Sequence, residues 1–174
     1  MYKLILVALL AVFANAQSLN FSTGKIEAHT EIFGDSNINP FSENIQSTLS
    51  IKEKIDSLKG VIKINTLSLH SNNEKRDEHM YELLNTTLHP QISFEITSLT
   101  KIEEFYEIQG VLTLNGVKQV IMSKANILEE NNHIILNGDF SINLTSFELK
   151  PPKLLFLTVR DRIDIKYNLD YIKG

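Results

Sequence analysis

The sequence predicts an all-β fold, an eight-stranded antiparallel barrel with one short α-helix. Three observations predict it. From Phe21 to the end, apolar residues recur mostly at every second position, the pattern of half-buried strands. The links between these runs are mostly short, which favours an up-and-down meander over a Greek key. One segment alone, 74–84, places its apolar residues at helical spacing. Eight strands with one apolar face each must bury that face, and a flat sheet would leave it wet, so the sheet has to close.

The strands follow in order. Ile26, Ala28, Thr30 and Ile32 oppose Glu27, His29 and Glu31; Ile45, Ser47, Leu49 and Ile51 alternate with Gln46, Thr48 and Ser50. Leu58, Gly60, Ile62 and Ile64 form a face opposite Lys59, Val61, Lys63 and Asn65. After His89-Pro90, Ile92, Phe94 and Ile96 alternate with Ser93, Glu95 and Thr97. Ile108, Gly110, Leu112 and Leu114 lead into Asn115-Gly116, a strong two-residue hairpin signal. The next strand covers about Val120–Leu128 and turns at Glu130-Asn131-Asn132. Leu136, Gly138, Phe140, Ile142 and Leu144 then oppose Asn137, Asp139, Ser141 and Asn143, and Ile163, Ile165, Tyr167, Leu169 and Tyr171 form the last face.

The helix is expected over Glu74–Leu84, with Met80, Leu83 and Leu84 on its apolar side. Ser71-x-x-Glu74 fits a capping box at its start, and Asn85 and Pro90 end it. Asn39-Pro40 and Pro151-Pro152 belong to loops. At eight strands the interior is either packed with side chains or holds one slender ligand. The small inward residues Ala28, Ser47, Gly60, Gly110 and Gly138 are consistent with unfilled space, but glycines in barrel strands also relieve bending. Both outcomes stay open on these residues.

The first sixteen residues carry a different message. Lys3 precedes the apolar run Leu4–Ala14, and Ala14-Asn15-Ala16 suits a signal peptidase cutting before Gln17. The run is about 11 residues, whereas a membrane-spanning helix takes roughly 20. The expectation is a signal peptide at 1–16 and an exported domain at 17–174, without a transmembrane segment in the mature chain. That mature chain has sixteen basic against twenty-one acidic side chains, which argues against a nucleic-acid partner. Cysteine is absent, which removes disulfides, thiolate metal sites and cysteine nucleophiles. The sequons at Asn20, Asn85 and Asn143 are read as unmodified, because tripeptides of this kind arise by chance in an Asn-rich chain.

Catalytic chemistry finds little support. His29, His70, His79, His89 and His133 lack the short spacings of local chelation, although His70 and His89 flank the helix that carries His79. No G-x-S-x-G motif is present. Glu103-Glu104 and Glu129-Glu130 are adjacent pairs expected in turns, where solvated carboxylates are the simpler reading. Arg76-Asp77 reads as a helix-surface ion pair worth roughly 0–1 kcal/mol, or as an anchor for the helix. Tyr81 and Phe105-Tyr106 are candidates for an entrance. No catalytic residue, metal or cofactor is expected.

Several stretches together resemble the YceI-like polyisoprenoid-binding proteins of the bacterial periplasm. Leu67-Ser68-Leu69 leads into Arg76-Asp77-Glu78-His79-Met80, similar to that family's R-D-x-H-L. Pro90-x-Ile92-x-Phe94 is similar to its P-x-I-x-F entry, and Tyr106-x-Ile108-x-Gly110-x-Leu112-Thr113-Leu114-Asn115-Gly116-Val117 to its central hairpin. Leu157-x-Val159-x-Asp161-x-Ile163-x-Ile165 resembles its closing strand. The common S-x-x-F-x-I-x-H opening is here Gly24-Lys25-Ile26-Glu27-Ala28-His29-Thr30, and Asn39-Pro40-Phe41 interrupts the first hairpin.

The resemblance implies a lipocalin-like barrel with a long apolar tunnel for a polyisoprenoid or other long-chain lipid ligand, a periplasmic setting, and often a homodimer. The inward faces then supply the lining: Ile62, Ile64, Phe94, Leu112, Leu114, Phe140, Ile142, Ile165 and Tyr167. The expected function is an exported binding protein for a polyisoprenoid, quinone or similar lipid. The alternative is a filled barrel that acts as a periplasmic stress or assembly partner through its outer surface.

Overall fold

In the computed structural model, which describes residues 16–32, 35–154 and 157–174, the alternating runs become thirteen strand segments and one helix. They are β1 (Gln17–Ile32), β2 (Asp35–Ile38), β3 (Phe41–Ser42), β4 (Ile45–Ser47), β5 (Leu49–Ile51) and β6 (Gly60–Asn65), then helix α1 (Glu74–Leu83). After it come β7 (Gln91–Ile102), β8 (Phe105–Leu114), β9 (Val117–Glu130), β10 (His133–Asn143), β11 (Lys153–Leu154), β12 (Leu157–Thr158) and β13 (Arg162–Lys173). The signal peptide expected at 1–16 lies outside the described residues except for Ala16.

All ladders are antiparallel, and neighbours run β1–β13–β10–β9–β8–β7–β6–β4. β4 and β5 are two halves of one strand broken at Thr48, whose N–H donates to Val61 O at 2.9 Å. The first half pairs with β6 (Ile45↔Ile64) and the second with β1 (Leu19↔Leu49), so this strand closes the ring. Counted as one, it is the eighth wall strand, and the all-β, eight-stranded barrel stands. Among the described residues closure leaves no long wall edge unpaired, the simplest way to hide backbone donors in a sheet of this size.

The turns follow the chemistry of their residues. Asn115 and Gly116 both take positive φ, 50° and 74°, and so do Asn131 and Asn132, 48° and 82°, the geometry of tight hairpins. β1 is long enough to pair with β13 along one edge and successively with β5, β3 and β2 along the other. The return path is split where Asn39-Pro40 falls, with Ala28 N–H donating to Pro40 O at 2.8 Å. A bulge between Ile96 and Ser98 resets the face of β7, so that Leu99 is buried in place of residue 98.

Two expectations need correction. The cap of α1 is Asn73, whose side chain accepts from Arg76 N at 3.1 Å, and not Ser71. Ser71 instead donates from its N–H and hydroxyl to Asp77, because a buried carboxylate in the first turn competes better for those donors. Glu129 and Glu130 lie at the end of β9, paired with Ile134 and His133, with the turn made by the two asparagines alone.

The barrel has two unlike ends. Residues 17 and 174 and the turns at 103–104 and 131–132 lie at one end, where Leu49, Leu58, Ile134 and Tyr171 are completely or almost completely buried. Helix α1, the Asn115–Gly116 turn and the β11–β12 hairpin lie at the other. The core is therefore continuous at the first end and interrupted at the second, which is where the site is found.

Candidate functional site: an apolar cavity with a polar mouth

Below the helix, the inward faces enclose a cavity of about 970 Å³. Its wall is built by alternate residues of six strands: Ile26, Ala28 and Thr30 of β1, Ile62 and Ile64 of β6, Ile92, Phe94 and Ile96 of β7, Ile108, Leu112 and Leu114 of β8, Leu136, Phe140 and Ile142 of β10, and Ile163, Ile165, Tyr167 and Leu169 of β13. Period-two alternation puts every one of them on the same side of its strand. Met80 and Leu83 of α1 roof it, held down by Leu84, which is buried.

All nine residues expected in the lining face this cavity: Ile62, Ile64, Phe94, Leu112, Leu114, Phe140, Ile142, Ile165 and Tyr167. The sequence reading omitted the β1 wall, although the same alternation marked it, and omitted the helix roof. It also omitted Leu157 and Val159 at the rim, although they precede Ile163 and Ile165 at every second position, and Pro152, which no periodicity marks.

Three aromatic side chains shape one flank of the lumen. Phe94 and Phe140 stack at 6.0 Å between centroids, and Phe140 meets Tyr167 at 6.5 Å. They arch over the smallest inward residues of the intervening wall. A Cβ at position 110 would lie 2.3 Å from Phe94 Cζ, and one at 138 would lie 2.3 Å from the Tyr167 hydroxyl oxygen. These glycines mark rings lying against the backbone, and neither opens empty space. The Tyr167 hydroxyl turns into the wall, 2.9 Å from Ser123 Oγ, which itself donates to Asp139 O at 2.9 Å. Burial pushes the Tyr167 phenol up to about 12, with the Ser123 contact opposing that shift. The deep lumen is thus apolar.

Polar groups collect at the mouth: His29, Asp35, Ser71, Arg76, Asp77, His79, Glu82 and Lys153 all line it. Arg76 and Asp77 do not pair with each other. Arg76 Nη2 donates to Asp35 Oδ2 at 2.8 Å, tying α1 to β2 across the opening. Asp77 is buried and accepts from Ser71 N at 2.9 Å and Ser71 Oγ at 2.6 Å. The helix is further fixed by the Tyr81 hydroxyl, which donates to Leu69 O at 2.6 Å. Tyr81 therefore clamps the helix and is not a cavity wall residue. Phe105 and Tyr106 sit on the strand end away from the mouth, under Lys124 and Lys101.

The histidines are dispersed. His79 lines the mouth, His70 packs on Phe41 at 4.2 Å, and His89 lies against the Gly116 turn. His133 contacts Asp170 at 2.8 Å. His29 is held between Asn39 Oδ1 and Glu31 Oε1, and these two contacts raise its pKa. Among the described residues no group of three or more His, Asp or Glu is placed to hold a metal ion. No helix among them is long and apolar enough to cross a membrane.

Known proteins resemble this chain in sequence and share its fold. In sequence, the chain is 33% identical over 93 residues to Protein YceI of Shigella flexneri, covering 52% of this chain and 49% of that one. It is 40% identical over 73 residues to a UPF0312 protein of Pectobacterium carotovorum, covering 41% and 38%. The chain spans about half or less of the length of these curated relatives. In structure, it is similar to BcnA of Burkholderia cenocepacia, with a TM-score of 0.76 at 14% identity, covering 84% and 95% of the two chains. It is also similar to a polyisoprenoid binding domain from Saccharophagus degradans, with a TM-score of 0.67 at 14% identity, covering 91% and 99%. A family model for the YceI-like domain matches residues 12–171. Nearly the whole chain is covered by that match, and the chain belongs to the YceI-like domain family.

Proposed function

We propose that this protein binds a polyisoprenoid or similar long-chain lipid inside the barrel, as an exported carrier or store. The observation that carries the reading is the largely apolar cavity of about 970 Å³, open at one end, with its acidic groups gathered at that mouth. A polyisoprenoid-binding domain of the same fold supports it. Binding needs little specific chemistry. About ten buried methylenes contribute roughly 8 kcal/mol, enough to offset much of the roughly 4–15 kcal/mol lost on association. A longer tail adds affinity without a single polar contact. The leader-like residues 1–16 support export, and a periplasmic location fits a protein that moves lipid between membranes.

The alternative of a filled barrel needs an interior without space, and the cavity speaks against it. The test is uptake of a linear prenol by the purified protein, compared with Phe94→Asp and Leu112→Asp. These residues are cross-strand partners in the cavity wall. Either carboxylate would have to be desolvated against the tail, so both variants should lose uptake while keeping the β-sheet circular dichroism of the parent. Folded variants that bind prenol normally would refute the site.

A further inference from the structure

The cavity does not run the length of the barrel. Its deepest wall residues are Ile96, Ile108, Leu136 and Leu169, and among the described residues the inward side chains beyond them are packed core. There Leu49, Leu58, Ile134 and Tyr171 are 2%, 0%, 0% and 0% exposed, and Phe21 meets the Tyr171 ring edge-on at 5.7 Å. Leu136 and Leu169 are cross-strand partners, as are Ile134 and Tyr171 one layer further down, so the floor and the plug are successive layers of the same two strands. The barrel is a blind pocket open at the helix end.

We propose that this closed end is a stop that limits the length of chain the cavity accepts to no more than about six prenyl units, with the head group left at the mouth. The proposal rests on the lipid-binding reading above. Taking about 30 Å³ for each methylene-sized group, the liquid-volume share of one water molecule, the 970 Å³ cavity, whose mouth also takes the head group, holds at most roughly thirty carbons, or about six five-carbon units. Orientation follows from polarity. The charged lining groups lie in the helix half, and the one aromatic hydroxyl facing the deep lumen is engaged with Ser123 in the wall. A head group pushed to the floor would meet Ile and Leu side chains, while the nearest hydroxyls, those of Tyr167 and Tyr171, are engaged with Ser123 or sealed inside the plug, so it would lack hydrogen-bond partners. The tail enters first, and the plug halts it.

The experiment measures relative affinities of linear prenols, from three to ten units, by competition in native mass spectrometry with the intact folded protein. Each buried methylene tightens binding by roughly fourfold, so affinity should climb steeply to a break at no more than about six units. Beyond that break it should stay flat to within about threefold, because further units remain outside. Two sets of variants move the break in opposite directions. Leu136→Ala with Leu169→Ala removes six floor carbons and should shift it about one unit longer. Ala28→Leu with Ile96→Phe adds six carbons to the wall and should shift it about one unit shorter. The filling pair leaves the plug intact and carries the test if the emptied floor does not fold. An affinity that rises without a break through ten units, or a break that the filling pair leaves in place, would overturn the stop. Failure of every prenol to bind would instead overturn the lipid-binding reading itself.

Discussion

Replacing Asp77 with alanine should loosen the helix over the cavity mouth at a cost of about 3 kcal/mol. The carboxylate is 8% exposed and accepts two donors from one residue, Ser71 N at 2.9 Å and Ser71 Oγ at 2.6 Å. Hydrogen bonds to a charged partner contribute about 1.5–3 kcal/mol each. The Ser71 hydroxyl is only partly buried and can turn to water, so its share falls at the low end. The Ser71 N–H has no such freedom and accounts for at least half of the loss. For a domain of this length a change of 1 kcal/mol moves Tm by about 2–4 °C, so the variant should melt roughly 6–12 °C below the parent. Asp77→Asn keeps one acceptor oxygen and should fall in between. The assay is a thermal melt followed by circular dichroism, paired with hydrogen exchange at Ser71 and along α1. A variant that melts within about 1 °C of the parent, with unchanged exchange at Ser71, would refute the claim that Asp77 pins the helix.

Other perturbations reach different parts of the account. Gly110→Ala places a Cβ 2.3 Å from Phe94 Cζ and 2.7 Å from Glu95 O, and the carbonyl cannot swing away, so a large drop in Tm is expected together with weakened prenol uptake. Tyr167→Phe removes the contact to Ser123, which keeps Asp139 O, so stability should fall by only about 1 kcal/mol and uptake should be unchanged. Asp164 accepts from Ser141, with Arg162 and Arg160 also donating, and these hold its carboxyl down to about 2 against the opposing effect of burial. A depressed folded pKa contributes stability that is present above the unfolded value and is lost as pH falls from about 4 toward 2. Acid titration of Asp164→Asn should therefore show a shallower stability loss in that window, and an identical acid profile would count against the network.

Much of this fold was legible because strand faces obey a period of two and hairpins obey φ. The inward set from Leu58 to Ile64 and from Ile163 to Tyr171 follows directly from alternation, and Asn115-Gly116 turns where its residues favour positive φ. Local rules failed where two residues compete for one role. Ser71 and Asn73 both fit a cap, and only the buried Asp77, six residues from Ser71, decides between them. The Arg76–Asp35 contact spans 41 positions and carries no local signal. The cavity was undecidable from composition, because the same glycines that suggested empty space are covered by Phe94 and Tyr167. β9 shows the limit of hydropathy: Val120, Met122 and Leu128 face outward, while the inward side uses Ser123 and Ala125 beneath the aromatic arch. Which side of such a strand is buried depends on rings contributed by its neighbours.

The most direct test of the central claim is organic extraction and mass spectrometry of the protein purified natively from its own source. The account predicts a near-stoichiometric isoprenoid or similar long-chain lipid, with its mass naming the cargo. An empty extract, together with no uptake of added prenols by the folded protein, would contradict it and leave the barrel without its proposed ligand.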